Sequence, residues 1–119
     1  MKSTHTGIKR ILYAFKYSFD GLRAAFHDEA SFRQDILLCI IAIIFQAFLD
    51  IPTTSRIIMI SSLLLIIIAE LINTAIETII DRIGPERNEL SKKAKDIGSA
   101  IVMLTITGVC ILWFCLISA

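Results

Sequence analysis

The sequence has almost no net charge. Twelve Lys and Arg against eleven Asp and Glu leave +1 at pH 7, which gives a nucleic acid no electrostatic footprint to bind. It also lacks the soluble nucleotide-binding motifs: there is no GxxxxGK[ST], no GxGxxG, and no HRD or DFG. Any ATP site in this chain is therefore built on another plan. Cysteine is scarce, and Cys39, Cys110 and Cys115 each stand inside an apolar run with neither CxxC nor zinc spacing. They read as small apolar residues rather than ligands. No internal repeat or low-complexity tract is present. No cleavable signal peptide is expected, because charge runs through the first 35 residues without a continuous apolar stretch.

What the chain has is apolar residues in blocks. Of 119 residues 55% are hydrophobic, and the mean hydropathy is +0.74, above the composition of a soluble domain. Near the N-terminus Ile8, Ile11, Leu12, Phe15, Phe19, Leu22 and Phe26 fall within an arc of roughly 100° at helical spacing. Lys9, Lys16, Asp20 and Arg23 lie elsewhere on the wheel, the pattern of a helix lying in a membrane surface. Three longer runs follow. The first, 36–49, reaches spanning length only if its helix starts near Ala30; 57–80 and 97–117 are long enough alone. Pro52 with its Asp, Ser and Thr neighbours predicts a turn, Gly84-Pro85 a break, and Ser91 a helix cap. The expectation is one all-α integral membrane domain over 1–119, with a surface helix at about 6–28, spans at about 30–49, 54–82 and 91–118, and a loop at about 83–90.

Basic residues orient the spans. Lys2, Lys9, Arg10, Lys16, Arg23 and Arg33 precede the first span, and Arg56 alone follows it. Arg82, Arg87, Lys92, Lys93 and Lys95 fill the second connection, and nothing basic comes after. The alternation predicts a cytoplasmic N-terminus and second loop, with the C-terminus outside.

The chemistry concentrates in Glu70-Leu-Ile-Asn73-Thr-Ala-Ile-Glu77-Thr-Ile-Ile-Asp81. Spacings of three, four and four put Glu70, Asn73, Glu77 and Asp81 within roughly 80° of one helix face. Glu77 lies ~6 Å and Glu70 ~16 Å along the helix from Asp81, so the stripe descends into the membrane. An acid at the bilayer centre costs about 2.5–3.5 kcal/mol on insertion scales, and three readings account for it. Polar glue between helices usually needs one Asn or Gln. A proton path would call for acids continuing across the membrane, and the third span has none. The third reading is an active site entered from the cytoplasmic side. Carboxylates there suit Mg²⁺, Lys and Arg suit phosphate, and a deeper carboxylate in a dry site suits a general base. These are the parts of phosphoryl transfer, and a base below the surface implies a lipid hydroxyl as acceptor.

The same residues resemble a known family. Glu70 to Glu77, continuing to Asp81-Arg82, is similar to the signature of the prokaryotic diacylglycerol kinases. Lys95-Asp96-Ile97-Gly98-Ser99-Ala100 resembles a second block of that family, and Gly21 to Phe26 with Glu29 to Gln34 a third. The resemblance implies a homotrimeric inner-membrane enzyme that phosphorylates diacylglycerol with MgATP, giving phosphatidate and ADP. It implies Glu70 as general base and Glu29 and Glu77 as Mg²⁺ ligands. Arg10, Tyr17, Glu86, Lys95 and Asp96 would join Glu29 and Glu77 at the nucleotide. The lipid would meet Arg10, Ala14, Arg23, Ser31, Phe32, Arg33, Gln34, Asp35, Phe48, Arg56, Glu70, Asn73 and Ser99. Within this resemblance a kinase acting on undecaprenol is the alternative, and the Phe32-Arg33-Gln34 block is more similar to the diacylglycerol branch. The chain departs from the family where Phe19, Phe26 and Phe48 replace frequent tryptophans and where Asp35 replaces a frequent glutamate.

Overall fold

The computed structural model describes residues 6–119, so Lys2 lies outside it. The chain is all-α, with α1 at Ile8–Asp28, α2 at Ala30–Ala47, α3 at Thr53–Ile83 and α4 at Glu89–Ser118. Among the described residues there is no strand. Two compact units divide the chain, one ending at Ala30 and the other covering Ser31–Ala119.

The first unit is essentially α1. Along its apolar stripe Ile8, Phe15 and Phe19 are each more than half exposed. Lys16 pairs with Asp20 at 3.3 Å along the polar side. The helix stops at Glu29, whose extended backbone (φ −116°, ψ 109°) still donates its N–H to the Ala25 carbonyl at 2.9 Å.

The second unit holds three antiparallel helices, each long and apolar enough to cross a membrane. α2 ends at Ala47 rather than 49, because Phe48 and Leu49 donate to the carbonyls three residues back and tighten the last turn. Gly84 closes α3 at φ +146°, a conformation that only glycine adopts without strain. Pro85 then prevents continuation. α4 is capped by Asn88, not by the expected Ser91. The Asn88 side-chain oxygen accepts from Leu90 N at 2.8 Å and Ser91 N at 3.3 Å. Both residues have capping chemistry, but the backbone leaves the extended region at Asn88 (φ −138°, ψ 134°), so Ser91 is already inside the first turn.

α3 and α4 pack along their length. Met59 is fully buried, and Leu63, Ala69 and Val109 are buried with it. The Trp113 indole N–H donates to Ser62 Oγ at 2.9 Å and to the Met59 carbonyl at 3.2 Å. α2 is fixed at its far end by Arg56, whose guanidinium donates to the Gln46 and Leu49 carbonyls and to Gln46 Oε1. The Gln46 carbonyl also accepts from Leu49 N in the tightened last turn, and Arg56 adds a cap to the C-terminus of α2 from α3.

Candidate active site

The antiparallel register that joins Arg56 to the end of α2 brings the start of α2 beside the middle of α3. Ser31, in the first turn of α2, donates its hydroxyl to Glu70 Oε1 at 2.9 Å. Glu70 is 6% exposed within the single chain. The packing of α2 on α3 nearly covers it. Asp35, one helical turn beyond Ser31, lies within interaction range of Glu70. Its Oδ2 is buried without a hydrogen-bond partner among the described residues.

Going from Glu70 to the end of α3, the stripe opens. Asn73 and Glu77 are half-buried and Asp81 is exposed. Asn73 Nδ2 donates to Glu77 Oε1 at 3.3 Å, while Asn73 Oδ1 is buried and unpartnered among the described residues. Across from it on α4 stands Gly98, which is buried. Lys95, three residues earlier, puts its Nζ 3.5 Å from Asp81 Oδ1. Both side chains are largely exposed, so the pair is weakly held and the ammonium remains able to meet another anion. Asp96 is engaged by Lys92 at 2.6 Å. Ser99 is exposed beside Gly98, and Glu86 is exposed in the connection between α3 and α4.

Phe48 and Arg56 stand at the opposite end of this unit, and Phe48 is 85% exposed. Arg56 lies ~21 Å along the helix from Glu70. Arg10, Ala14, Tyr17, Arg23 and Glu29 belong to the first unit. Phe32 is buried and Gln34 exposed in the first turns of α2, where Arg33 also sits. Between α2, α3 and α4 runs an apolar cavity of ≈ 340 Å³, lined by Asp35, Cys39, Leu63, Val109 and Trp113 among others. That is the lower range of small-molecule sites.

The donor set on α3 is oxygen only. Among the described residues no three His, Cys, Asp or Glu come together, so no all-protein cage is present. Mg²⁺ does not require one, being commonly held by one or two carboxylates together with phosphates and water. Glu77, half-exposed and held by one long hydrogen bond, fits that use.

Sequence reasoning found the stripe but missed Ser31 as the partner of Glu70 and Gly98 as the neighbour of Asn73. Both are contacts between residues far apart in the chain. The only available signal was that Ser31 and Gly98 fall in the quoted blocks.

Comparison with known proteins points to one family. The family described as prokaryotic diacylglycerol kinase matches residues 16–117. Diacylglycerol kinase of Escherichia coli K12 is 44% identical over 113 residues, covering 95% of this chain and 93% of that protein. Diacylglycerol kinase of Haemophilus influenzae is 45% identical over 108 residues, covering 91% and 92%. That of Pseudomonas aeruginosa is 46% identical over 108 residues, covering 91% and 88%.

Proposed function

This chain belongs to the prokaryotic diacylglycerol kinase family, and we propose that it transfers the γ-phosphoryl group of ATP to the hydroxyl of diacylglycerol, releasing phosphatidate and ADP. The observation that carries this reading is the Glu70 carboxylate, buried in a helix of spanning length and approached by the Ser31 hydroxyl. With Ser31 donating to Oε1 and Asp35 beside it, the Glu70 carboxylate is the group that would take the proton of a lipid hydroxyl as that hydroxyl attacks phosphorus. A water-soluble acceptor would have no reason to reach a carboxylate below the membrane surface.

The exposed end of the stripe provides the nucleotide side. Lys95 would release Asp81 and pair with a phosphate oxygen, with Asp96 and Glu86 nearby in sequence. Glu77 would hold Mg²⁺, and Glu29 takes the same role by family resemblance, as do Arg10 and Tyr17 for ATP. When bound with ATP, Mg²⁺ would neutralise phosphate charge and orient the transferring group. The lipid headgroup would lie among Ser31, Phe32, Arg33, Gln34, Asp35, Asn73 and Ser99, and Ala14 and Arg23 are lipid contacts by family resemblance alone. The cavity beside Asp35 is suited to an acyl chain. Phe48 would meet the lipid farther from the headgroup.

The distribution of basic residues supports an inner-membrane protein with its N-terminus and the 84–88 connection in the cytoplasm and its C-terminus in the periplasm. Family resemblance supports a homotrimer.

The direct test is phosphate transfer by purified protein in mixed micelles with ATP, Mg²⁺ and either diacylglycerol or undecaprenol. Phosphatidate formation by the wild type is expected, lost in Glu70→Gln protein that retains its oligomeric state. Transfer to the polyprenol alone would replace the acceptor. Transfer to neither by folded, lipid-supplied protein would end the kinase reading.

A further inference from the structure

Glycine inside a helix weakens it relative to alanine, so a buried helical glycine needs a separate reason. Three glycines of this chain lie within helices. Around Gly21 and Gly108 nothing lies within 4 Å of where a Cβ would be. Gly98 differs. A Cβ there would overlap Asn73 Oδ1 and would stand 3.4 Å from Asn73 Cγ and 3.5 Å from Ile76 Cδ1. The Cα–H bond that a side chain would replace therefore points at the Asn73 oxygen.

That oxygen is one of two side-chain atoms, with Asp35 Oδ2, buried without a hydrogen-bond partner among the described residues. The orientation of the amide explains why. Asn73 Nδ2 donates to Glu77 Oε1 at 3.3 Å. Turning the amide over would set its oxygen against a carboxylate oxygen, acceptor to acceptor. The orientation that serves Glu77 thus directs Oδ1 at α4, where the Gly98 Cα–H is a weak donor and takes no space. Any larger residue would displace the amide from this slot.

We propose that Gly98 is a positioning residue. The slot it leaves on α4 holds the Asn73 carboxamide with its N–H₂ on Glu77, and so fixes the direction in which the Glu77 carboxylate faces a divalent cation. The inference rests on the reading of Glu77 as a metal ligand.

The test uses Mn²⁺ with a non-hydrolysable ATP analogue, bound to the full chain in micelles and followed by electron paramagnetic resonance. Glu77→Gln should weaken Mn²⁺ binding strongly. Gly98→Ala should weaken it about tenfold, the lower end of what partners of a metal ligand contribute. It should also shift the side-chain amide resonances of Asn73 in metal-free protein, a signal that a general loss of packing elsewhere would not single out. In an Asn73→Ala background, where the overlap is gone, adding Gly98→Ala should fold normally and change Mn²⁺ binding no further.

Wild-type Mn²⁺ binding by folded Gly98→Ala, with binding still impaired in Glu77→Gln, would overturn the proposal and leave Glu77 in place. An added loss in the double variant would also overturn it, since Gly98 would then act other than through Asn73. If Glu77→Gln binds Mn²⁺ as the wild type does, the assignment of Glu77 fails, and the metal-directing role of Gly98 fails with it. The Asn73 resonances then report separately whether the slot itself exists.

Discussion

The two ends of the helical unit treat their polar groups in opposite ways. At the Arg56 end they are answered from within the chain. The guanidinium meets the Gln46 and Leu49 carbonyls and the Gln46 side chain, Gln46 Nε2 donates to the Ile43 carbonyl, and Trp113 meets Ser62 and Met59. At the Glu70 end they are left partly open. Asp35 Oδ2 and Asn73 Oδ1 are buried without partners among the described residues, Glu77 is held by one long bond, and Lys95 by one loose pair. Native proteins satisfy nearly all buried polar atoms. Two orphans within one end, near a buried carboxylate, lie where the proposed function sets the substrate. The closed end fixes helix register, and the open end is the one proposed to do chemistry.

The largest effect should come from breaking the open end. Glu70→Gln keeps the size of the side chain and can still accept from Ser31. Turnover should fall by about 10²–10⁴-fold, the usual contribution of a positioned general base, while the thermal transition followed by circular dichroism stays near that of wild type. Turnover within tenfold of wild type would erase the contrast, because the open end would then lack the base.

The second prediction concerns the closed end and is read in stability. Arg56→Ala removes charge-assisted hydrogen bonds worth about 1.5–3 kcal/mol each in protein settings. Water near the helix end can replace part of them, so a net loss of about 2 kcal/mol is expected. The lipid KM of the protein that remains folded should rise by no more than twofold. Family resemblance places Arg56 among substrate contacts, and this measurement separates the two uses. A large rise in KM with an unchanged transition would make the guanidinium a lipid contact rather than a cap.

How much of this was legible in the sequence depends on the range of the interaction. The helices follow from local pattern: apolar runs of spanning length, the Pro52 and Gly84-Pro85 breaks, and the helical spacing of Glu70, Asn73, Glu77 and Asp81. Whether Asn88 or Ser91 caps α4 was not legible, since residue type permits both and the backbone path decides. The Ser31 to Glu70 bond spans 39 positions and depends on the register that Arg56 sets at the other end, which no local pattern records. The near-complete cover of Glu70 within one chain has the same origin. Gly98 could be seen as a glycine in a helix, but its reason lies in an asparagine on another helix. The roles of Arg10, Tyr17 and Glu29 rest on family resemblance alone, because nothing in their spacing distinguishes a nucleotide contact from a charged surface.

The smallest effect sharpens the comparison by testing how completely the closed end is satisfied. Trp113→Phe keeps an aromatic ring against α3 and deletes only the indole N–H. That N–H serves two acceptors, Ser62 Oγ and the Met59 carbonyl. Neither is stranded by its loss, because the Ser62 hydroxyl itself donates to the Met59 carbonyl at 2.5 Å. The expected cost is therefore that of one interhelical hydrogen bond within a membrane, about 0.6 kcal/mol, with turnover unchanged within twofold. Trp113→Ala, which also removes the ring, should cost several times more through the cavity it leaves, about 3 kcal/mol or above. Reversible unfolding of both variants in mixed micelles gives the two losses side by side. A loss in Trp113→Phe as large as that in Trp113→Ala would mean that the N–H holds the end together. The closed end would then depend on a single donor, as the open end depends on the Ser31 hydroxyl, and the two ends would differ in the chemistry they face rather than in how fully they are bonded.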